Sequence, residues 1–153
     1  MKVHTRTGSG ELIWQGRIQI GDEPGVYGDA NYSGLAAEFP ITLTAFGSGT
    51  PTVEFELSAE GASNFGPPYK GHNVTLFALT ESNPAVWQKA MIAQGQLTSD
   101  SFKLAAPLPA GVRYVSLRVE ADTSVTPGFY DDFVLTGLTL HAASHYADFG
   151  FRA

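Results

Sequence analysis

The chain has 153 residues, of which 43% are hydrophobic and 16% are charged, and its formal net charge is −6. This length suits one domain that buries a substantial core without support from metals or disulfides. The nine basic residues are scattered singly along the chain, which argues against nucleic acid as a partner, because binding to phosphates needs several cations on one face.

The absence of cysteine excludes disulfides, thiolate metal sites and cysteine nucleophiles. No apolar run approaches the roughly 20 residues that span a bilayer, so we expect no membrane partner. The N-terminal segment lacks the apolar region of a signal peptide, and we therefore expect synthesis in a cytoplasm.

The first predicted strand follows a polar segment, residues 1–10, which ends in Gly-Ser-Gly and indicates an N-terminal arm. Within residues 11–20, Gly16 indicates a bulge or a close approach of the backbone. One face of this strand carries Leu12, Trp14, Ile18 and Ile20. Residues 21–37 then form a long connection rich in Gly, Asp, Asn and Tyr, and connections of this length are usually functional or interfacial.

Two alternating segments, residues 39–46 and residues 51–60, are separated by a Gly-Ser-Gly turn and predict an antiparallel hairpin. A second long loop, residues 61–72, contains Pro67-Pro68. Because proline cannot donate a backbone hydrogen bond, this pair forbids regular strand pairing there.

Residues 73–80 predict a strand with both faces partly covered. The chain then returns through residues 86–97 as a second strand, and a short helix over residues 85–92 is the competing interpretation. Residues 101–106 predict a further short strand.

The clearest strand lies in residues 108–121, after a tight turn that Pro109 and Gly111 favour. Its apolar and polar side chains alternate strictly, which is typical of one dry and one wet face. The dry face carries Val115, Leu117, Val119 and Ala121. We predict that this strand pairs with residues 129–141 as an antiparallel hairpin.

Together these segments predict an all-β chain of about eight or nine short strands. Short strands with this spacing are typical of a two-sheet β-sandwich of jelly-roll or Greek-key type. We expect an N-terminal arm over residues 1–10, the β-sandwich domain over residues 11–142 and a C-terminal tail over residues 143–153.

Catalytic motifs are absent from the sequence: there is no G-x-S-x-G elbow, phosphate-binding glycine loop or dinucleotide fingerprint. We therefore expect no enzyme activity, no catalytic residue and no cofactor. His141 and His145 have a spacing that occurs in metal sites, with Asp148 near them in sequence, but no second cluster supports a site. An interface is the better interpretation of these histidines.

Acidic residues gather before the last long strand, at Asp131 and Asp132, and in the first long loop, at Asp22, Glu23 and Asp29. In jelly-roll carbohydrate-binding modules, carboxylates near such strand ends often hold Ca²⁺, which makes calcium an alternative here. The pattern of a calcium-binding loop is missing, so we interpret these residues as turn acids that cap or solvate their loops, without a bound metal.

Aromatic side chains that could form a sugar-stacking platform are Trp14, Trp87, Tyr27, Tyr32, Tyr69, Tyr130 and Tyr146. In a β-sandwich, aromatic residues more often belong to the core or to an interface. We predict an interface formed by loop and tail residues, namely Tyr27, Tyr32, Tyr69, His145, Tyr146, Phe149 and Phe151.

Three segments within residues 39–140 resemble the jelly-roll cement (decoration) proteins of tailed bacteriophage capsids. They are TAFGSGTPTVEFELSAE, LAAPLPAGVRYVSLRVEAD and TPGFYDDFVLTGLTL, and the middle segment carries most of the resemblance. The N-terminal arm, the Pro-Pro loop and the aromatic tail have no counterpart in it.

The resemblance implies a non-enzymatic virion protein that binds the outer surface of the capsid and stabilises the coat-protein lattice against internal DNA pressure. Its expected partners are the major capsid protein and further copies of this chain, as a homotrimer. The alternatives are a carbohydrate-binding jelly-roll module, with or without Ca²⁺, and another structural domain of the virion, from a tail or fibre.

Overall fold

The computed structural model of the chain describes residues 5–6, 12–43, 52–62, 71–81, 87–109, 112, 114–124, 131–142 and 149–151. Over these ranges the chain is all β, and no helix there is long and apolar enough to cross a membrane. Its eleven strands are β1 (Thr5–Arg6), β2 (Leu12–Ile20), β3 (Asn31–Tyr32), β4 (Ala36–Leu43), β5 (Thr52–Glu60), β6 (His72–Glu81), β7 (Trp87–Leu97), β8 (Ser101–Pro107), β9 (Tyr114–Glu120), β10 (Phe133–Ala142) and β11 (Phe149–Phe151).

The strands form two sheets that face each other as a β-sandwich of jelly-roll type. Sheet A has the order β1-β2-β10-β5-β8, with β3 pairing in parallel with β2, and sheet B has the order β11-β4-β9-β6-β7. The predicted fold class is confirmed. The described residues contain more strands than the sequence predicted, because β1, β3 and β11 have only two or three residues each.

The core lies between the sheets and is built from alternate side chains of each strand. In β5, burial alternates along the strand, and Val53, Phe55 and Leu57 are fully buried. In β9, the predicted dry face is confirmed, since Val115, Leu117 and Val119 are also fully buried, while Ala121 packs against the core from the end of the strand. Removing these faces from water is the main favourable contribution to folding.

The two hairpins predicted across residues 39–60 and residues 108–141 are wrong. Strand β9 lies between β4 and β6 in sheet B, whereas β10 lies between β2 and β5 in sheet A. Likewise, β4 and β5 belong to opposite sheets. The physical reason is that alternation determines which face of a strand is buried, and a sandwich buries that face equally well in either sheet.

The two strands predicted over residues 73–80 and 86–97 are confirmed as β6 and β7, which are antiparallel neighbours over their whole lengths. Residues 87–97 are a continuous strand, so the helical alternative is wrong over residues 87–92. The short strand predicted over residues 101–106 is confirmed as β8, which pairs with β5 at the edge of sheet A.

Both ends of the chain contribute edge strands. Within the predicted N-terminal arm, β1 pairs with β2, and within the predicted C-terminal tail, β11 pairs with β4. The division of the chain into arm, sandwich and tail stays a prediction.

The inner face of β2 confirms the close approach that was predicted at Gly16. A Cβ atom at Gly16 would lie 2.7 Å from Cζ2 of Trp14, which is fully buried and packs against Phe39 of sheet B at 5.5 Å between ring centroids. The predicted bulge is confirmed as well: Leu135 and Gly137 of β10 pair with Ile18 and Gln15, so two residues of β2, Gly16 and Arg17, oppose one residue of β10. On the other side of β10 the extra residue lies in β10 itself, because Leu135 and Gly137 pair with the adjacent residues Ala59 and Ser58 of β5.

His72 connects the two sheets inside the core. Its ring, on β6, is fully buried and stacks on Phe133 of β10 with 4.2 Å between ring centroids. Its Nδ1 atom accepts a hydrogen bond of 3.0 Å from the backbone N–H of Asp122. Burial lowers the pKa of His72 to about 4, against a smaller opposing effect of the Asp122 charge, so the ring is neutral at physiological pH.

We predict that His72 makes the fold sensitive to mild acid. Between the unfolded pKa of about 6.5 and the folded pKa of about 4, the unfolded chain binds more protons, so stability falls as the pH falls through this window. From about pH 7 to about pH 4.5, the loss due to this group is about 2–3 kcal/mol. Urea unfolding at the two pH values measures the loss.

His72→Asn keeps an acceptor for the Asp122 N–H but cannot become charged, so it should lower stability at neutral pH and remove this part of the pH dependence. Leu57→Ala, which removes a fully buried apolar side chain and no titratable group, is the control: it should lower stability and keep the pH dependence. A His72→Asn variant that loses as much stability on acidification as the wild type would contradict the assignment.

Candidate functional site

The connection between β2 and β3 folds back over the outer face of sheet A and is held there by Gln19. This side chain is fully buried, and its Nε2 donates to the carbonyl of Glu23 (2.6 Å) and to Oδ2 of Asp132 (2.5 Å). Its Oε1 accepts from the backbone N–H of Tyr27 at 3.3 Å. One amide thus ties the loop to the residue that precedes β10. Sequence patterns do not indicate this role, because Gln19 occupies an ordinary outward position between Ile18 and Ile20.

Three carboxylates meet where this loop crosses the start of β10. Oxygen atoms of Asp22, Asp131 and Asp132, which we call the Asp cluster, all lie within 4.8 Å of one another. Asp131 and Asp132 are 0% and 1% exposed, and the buried Oδ1 of Asp22 has no hydrogen-bond partner among the described residues. A Cβ atom at Gly21 would overlap the carboxyl group of Asp132, so only glycine allows the loop to approach this closely.

Burial raises the pKa of Asp132, and the nearby charge of Asp22 raises it further. Hydrogen bonds from Gln19, from the backbone N–H of Glu23 and with Asp131 act in the opposite direction without cancelling the increase. The cluster therefore concentrates negative charge that the protein itself leaves partly uncompensated, which is the electrostatic condition for binding a cation.

The donor set fits Ca²⁺. Calcium takes several oxygen ligands, including carboxylates, and tolerates irregular geometry, whereas zinc prefers nitrogen and sulfur ligands. Of the five acids considered from the sequence, the structure brings together Asp22, Asp131 and Asp132. It places Asp29 elsewhere, in an ion pair with Arg17 at 2.9 Å, and leaves the side chain of Glu23 exposed. The arrangement favours the calcium alternative over the interpretation as simple turn acids.

A cleft of about 300 Å³ lies next to this loop, between β3 and the beginning of β4. Tyr32, which is 43% exposed, lines one wall, and its hydroxyl donates to the carbonyl of Gly21 at 2.8 Å. The described residues that line the cleft are Ile18, Asn31, Tyr32, Ser33, Ala36, Ala37 and Glu38. The cleft thus combines a fixed aromatic ring with an amide, a carboxylate and small apolar side chains.

The carboxylate of Glu38 is held from the side of sheet B. It accepts hydrogen bonds from Lys89 (2.8 Å) on β7 and from Arg118 (3.0 Å) on β9. Burial alone would raise the pKa of Glu38, but the two cations outweigh it and hold the pKa below its usual value. Because β9 and β6 separate β4 from β7, the Lys89 side chain makes this contact by reaching across the outer face of sheet B.

The Asp cluster and the cleft are electrostatically linked through Tyr32. Partial burial raises the pKa of the Tyr32 phenol, and the charges of Asp132, Asp22 and Asp131 raise it further. The same residue is anchored to Gly21, whose backbone lies against Asp132. A change of charge in the Asp cluster therefore changes the pKa of Tyr32 in the wall of the cleft.

The seven residues predicted from the sequence as an interface are only partly brought together. Tyr27 and Tyr32 lie in the loop region that carries the cluster and the cleft, and Phe149 and Phe151 lie on the edge strand β11. Tyr69, His145 and Tyr146 lie outside the described residues. The interface role stays a prediction for all seven.

Trp14 does not belong to a sugar-stacking platform, because it is fully buried in the core. Trp87 lies on β7. Tyr130 is outside the described ranges. Among the described aromatic residues considered for a sugar platform, Tyr32 is the one that lines the cleft.

Comparison with known proteins gives a likeness of fold only. No protein-family model and no curated protein matches the chain. A cleaved adhesin domain of Lys-gingipain from Porphyromonas gingivalis is 12% identical, with 90% of this chain and 97% of that chain covered and a TM-score of 0.44. The C-terminal family 6 carbohydrate-binding module of LamC from Zobellia galactanivorans is 9% identical, with coverage of 91% and 86% and a TM-score of 0.36. A carbohydrate-binding module of lichenase 5A from Cellvibrio mixtus, in complex with cellotriose, is 11% identical, with coverage of 92% and 85% and a TM-score of 0.34.

We predict that Ca²⁺ stabilises the chelator-treated protein, by about 2.7 kcal/mol at a hundredfold excess over the dissociation constant. Asp22→Asn should be at least as stable as the wild type in chelator, because it removes a like charge and no described hydrogen bond. The variant should lose most of the gain from Ca²⁺. Thermal unfolding in chelator and in Ca²⁺ measures both effects.

Asp100→Asn, which changes an exposed acid in the turn between β7 and β8, is the control and should gain as much from Ca²⁺ as the wild type. Equal gains for Asp22→Asn and the wild type would rule out the Asp cluster as the calcium site.

The phenol of Tyr32 should report a cation in the Asp cluster directly. Ca²⁺ offsets the carboxylate charges that raise the pKa of Tyr32, so binding should lower this pKa. The measurement is the ultraviolet absorbance of tyrosinate against pH, in Ca²⁺ and in chelator, taken as the difference between the wild type and Tyr32→Phe. Identical difference curves under the two conditions would show that no cation binds beside Tyr32.

Proposed function

We propose that this domain is a carbohydrate-binding module that holds a neutral glycan in the Tyr32 cleft, with Ca²⁺ in the Asp cluster supporting the wall of the cleft. The observation that carries the proposal is the Tyr32 ring, which is 43% exposed although its hydroxyl is already engaged by the Gly21 carbonyl. A ring that is fixed in this way offers its apolar face at little cost in side-chain entropy.

The chemistry of the cleft suits a sugar. A pyranose has an apolar face of C–H groups, which stacks on an aromatic ring, and a rim of hydroxyls that both donate and accept hydrogen bonds. Asn31 offers both a carbonyl acceptor and amide donors beside the ring, and the remaining lone pairs of Glu38 accept from hydroxyls. A few polar groups around an apolar wall are typical of small-ligand sites.

The charges favour a neutral glycan over an acidic one. Glu38 is the charged residue among the described lining, and the Asp cluster lies behind Tyr32. The chain as a whole carries a net charge of −6. This net charge disfavours the approach of a uronic acid or a sulfated sugar, whereas it does not act against an uncharged sugar.

Binding without hydrolysis is part of the proposal. Hydrolysis of a glycosidic bond ordinarily uses two carboxyl groups on either side of the scissile bond. The described lining of the cleft contains one carboxylate, that of Glu38, and two cations hold it in its charged form. This arrangement supports recognition of a sugar rather than proton transfer to it.

The capsid-decoration hypothesis stays a prediction, with its expected partners, its homotrimer and its place on the virion. Sedimentation with empty capsids and the mass of the protein in solution test it. A monomer that binds no capsid lattice would exclude it, and a trimer that binds capsids but no glycan would favour it over the carbohydrate-binding proposal.

We predict that neutral oligosaccharides bind the protein, as measured on a glycan array and by calorimetry with the strongest ligand. Tyr32→Ala should weaken binding at least tenfold, about 1.4 kcal/mol, because it removes the stacking surface. Asn31→Ala should weaken binding by a similar factor, because it removes the amide beside the ring.

Met91→Ala is the matched control. Met91 is 60% exposed on the outer face of sheet B, so it is an exposed apolar side chain outside the cleft lining, and its loss should leave binding unchanged. Glycan binding that survives Tyr32→Ala but not Met91→Ala would move the site to sheet B and contradict the proposal.

A further inference from the structure

A second group of metal-ligating side chains lies at the far end of β10 from the Asp cluster. We propose that Glu54, Glu56 and His141 form a binding site for a first-row transition-metal ion, with zinc as the physiological choice. This site is independent of the glycan cleft and of Ca²⁺, and its ligands come from two neighbouring strands of sheet A.

The register of β5 and β10 places the three side chains together. Val53, Phe55 and Leu57 of β5 point into the core, so Glu54 and Glu56 point outward from sheet A. His141 is directly opposite Glu54 in the pairing of β10 with β5, and Glu56 is the next outward residue along β5. Two hydrogen-bonded strands therefore fix the spacing of the three ligands, which a loop would not do.

The distances are close to those of a metal site. One ligand atom from each of the three residues lies within 4.8 Å of the others, and His141 Nε2 is 3.2 Å from Glu56 Oε2. In a tetrahedral zinc site, bonds of about 2.0–2.1 Å put neighbouring ligand atoms about 3.3 Å apart. The His141–Glu56 pair already has this separation, and the ligand atom of Glu54 lies within 4.8 Å of both.

The mixture of ligands selects the ion. Calcium and magnesium prefer sites made of oxygen atoms alone, whereas zinc and copper bind imidazole nitrogen together with carboxylate oxygen. The side chains of His141, Glu56 and Glu54 are 34%, 40% and 42% exposed, so water reaches a fourth coordination position. Three protein ligands and one open position distinguish the site from a closed structural zinc site.

Lys103 competes for one of these carboxylates. Its Nζ lies 4.0 Å from Glu54 Oε1 and its side chain is 63% exposed, and an ion pair of this length in water contributes little. The contact between His141 Nε2 and Glu56 Oε2, at 3.2 Å, is the other interaction that a bound zinc ion would replace.

The test is calorimetric titration of the chelator-stripped full chain with zinc chloride, in excess Ca²⁺ so that the Asp cluster is already filled. We expect one zinc ion per chain. His141→Gln should abolish binding, and Glu54→Gln and Glu56→Gln should each weaken it at least tenfold. With cobalt in place of zinc, the wild type should show visible absorption of a four-coordinate ion, and His141→Gln should not.

Glu60→Gln is the matched control, since it changes an exposed carboxylate further along β5 that is outside the cluster, and it should bind zinc like the wild type. The melting temperature of each variant without metal should match that of the wild type, because the three side chains are half-exposed. A wild type that binds no zinc overturns the proposal, as does a His141→Gln variant that keeps its affinity. Should His141→Gln not fold, the two glutamate variants decide, and unchanged affinity in both would overturn it.

Discussion

The burial of the two inner faces against each other is the constraint on which the other features of this domain depend. Once alternate side chains of β2, β5 and β10 are committed to the core, the residues between them must point outward. Gln19, Glu54, Glu56 and His141 are all such residues. The packing of the core therefore directs two kinds of polar side chain outward: Gln19, which holds the loop, and the three ligands of the proposed metal site. None of these side chains belongs to the apolar core itself.

Sheet B contributes to the cleft through charge. Glu38 lies at the boundary between the cleft and the outer face of sheet B, and its two cationic partners come from strands further along that sheet. Without these cations, the carboxylate would be less strongly held in its charged form. The charge of a lining residue thus depends on two strands that do not themselves line the cleft.

The sequence predicted the faces of the strands well and their partners poorly. Alternation located Val115, Leu117 and Val119 in the core, but it contains no information about which sheet a strand joins, so both predicted hairpins were wrong. For the same reason, local sequence patterns could not predict that the three residues of the Asp cluster lie together. Asp22 and Asp132 meet because β2 and β10 are neighbours in sheet A, which local patterns do not encode.

The bulge in β10 changes the phase of the strand. Phe133 and Leu135 point into the core before it, and Leu138 and Leu140 point into the core after it, so the spacing of three between Leu135 and Leu138 marks the bulge in the sequence. Without that extra residue, the second half of the strand would turn over, directing His141 inward and Leu140 into water. Substitutions near the bulge leave this phase intact, but a one-residue deletion there would exchange the two faces of half a strand, so chain length at this point is constrained more tightly than residue identity.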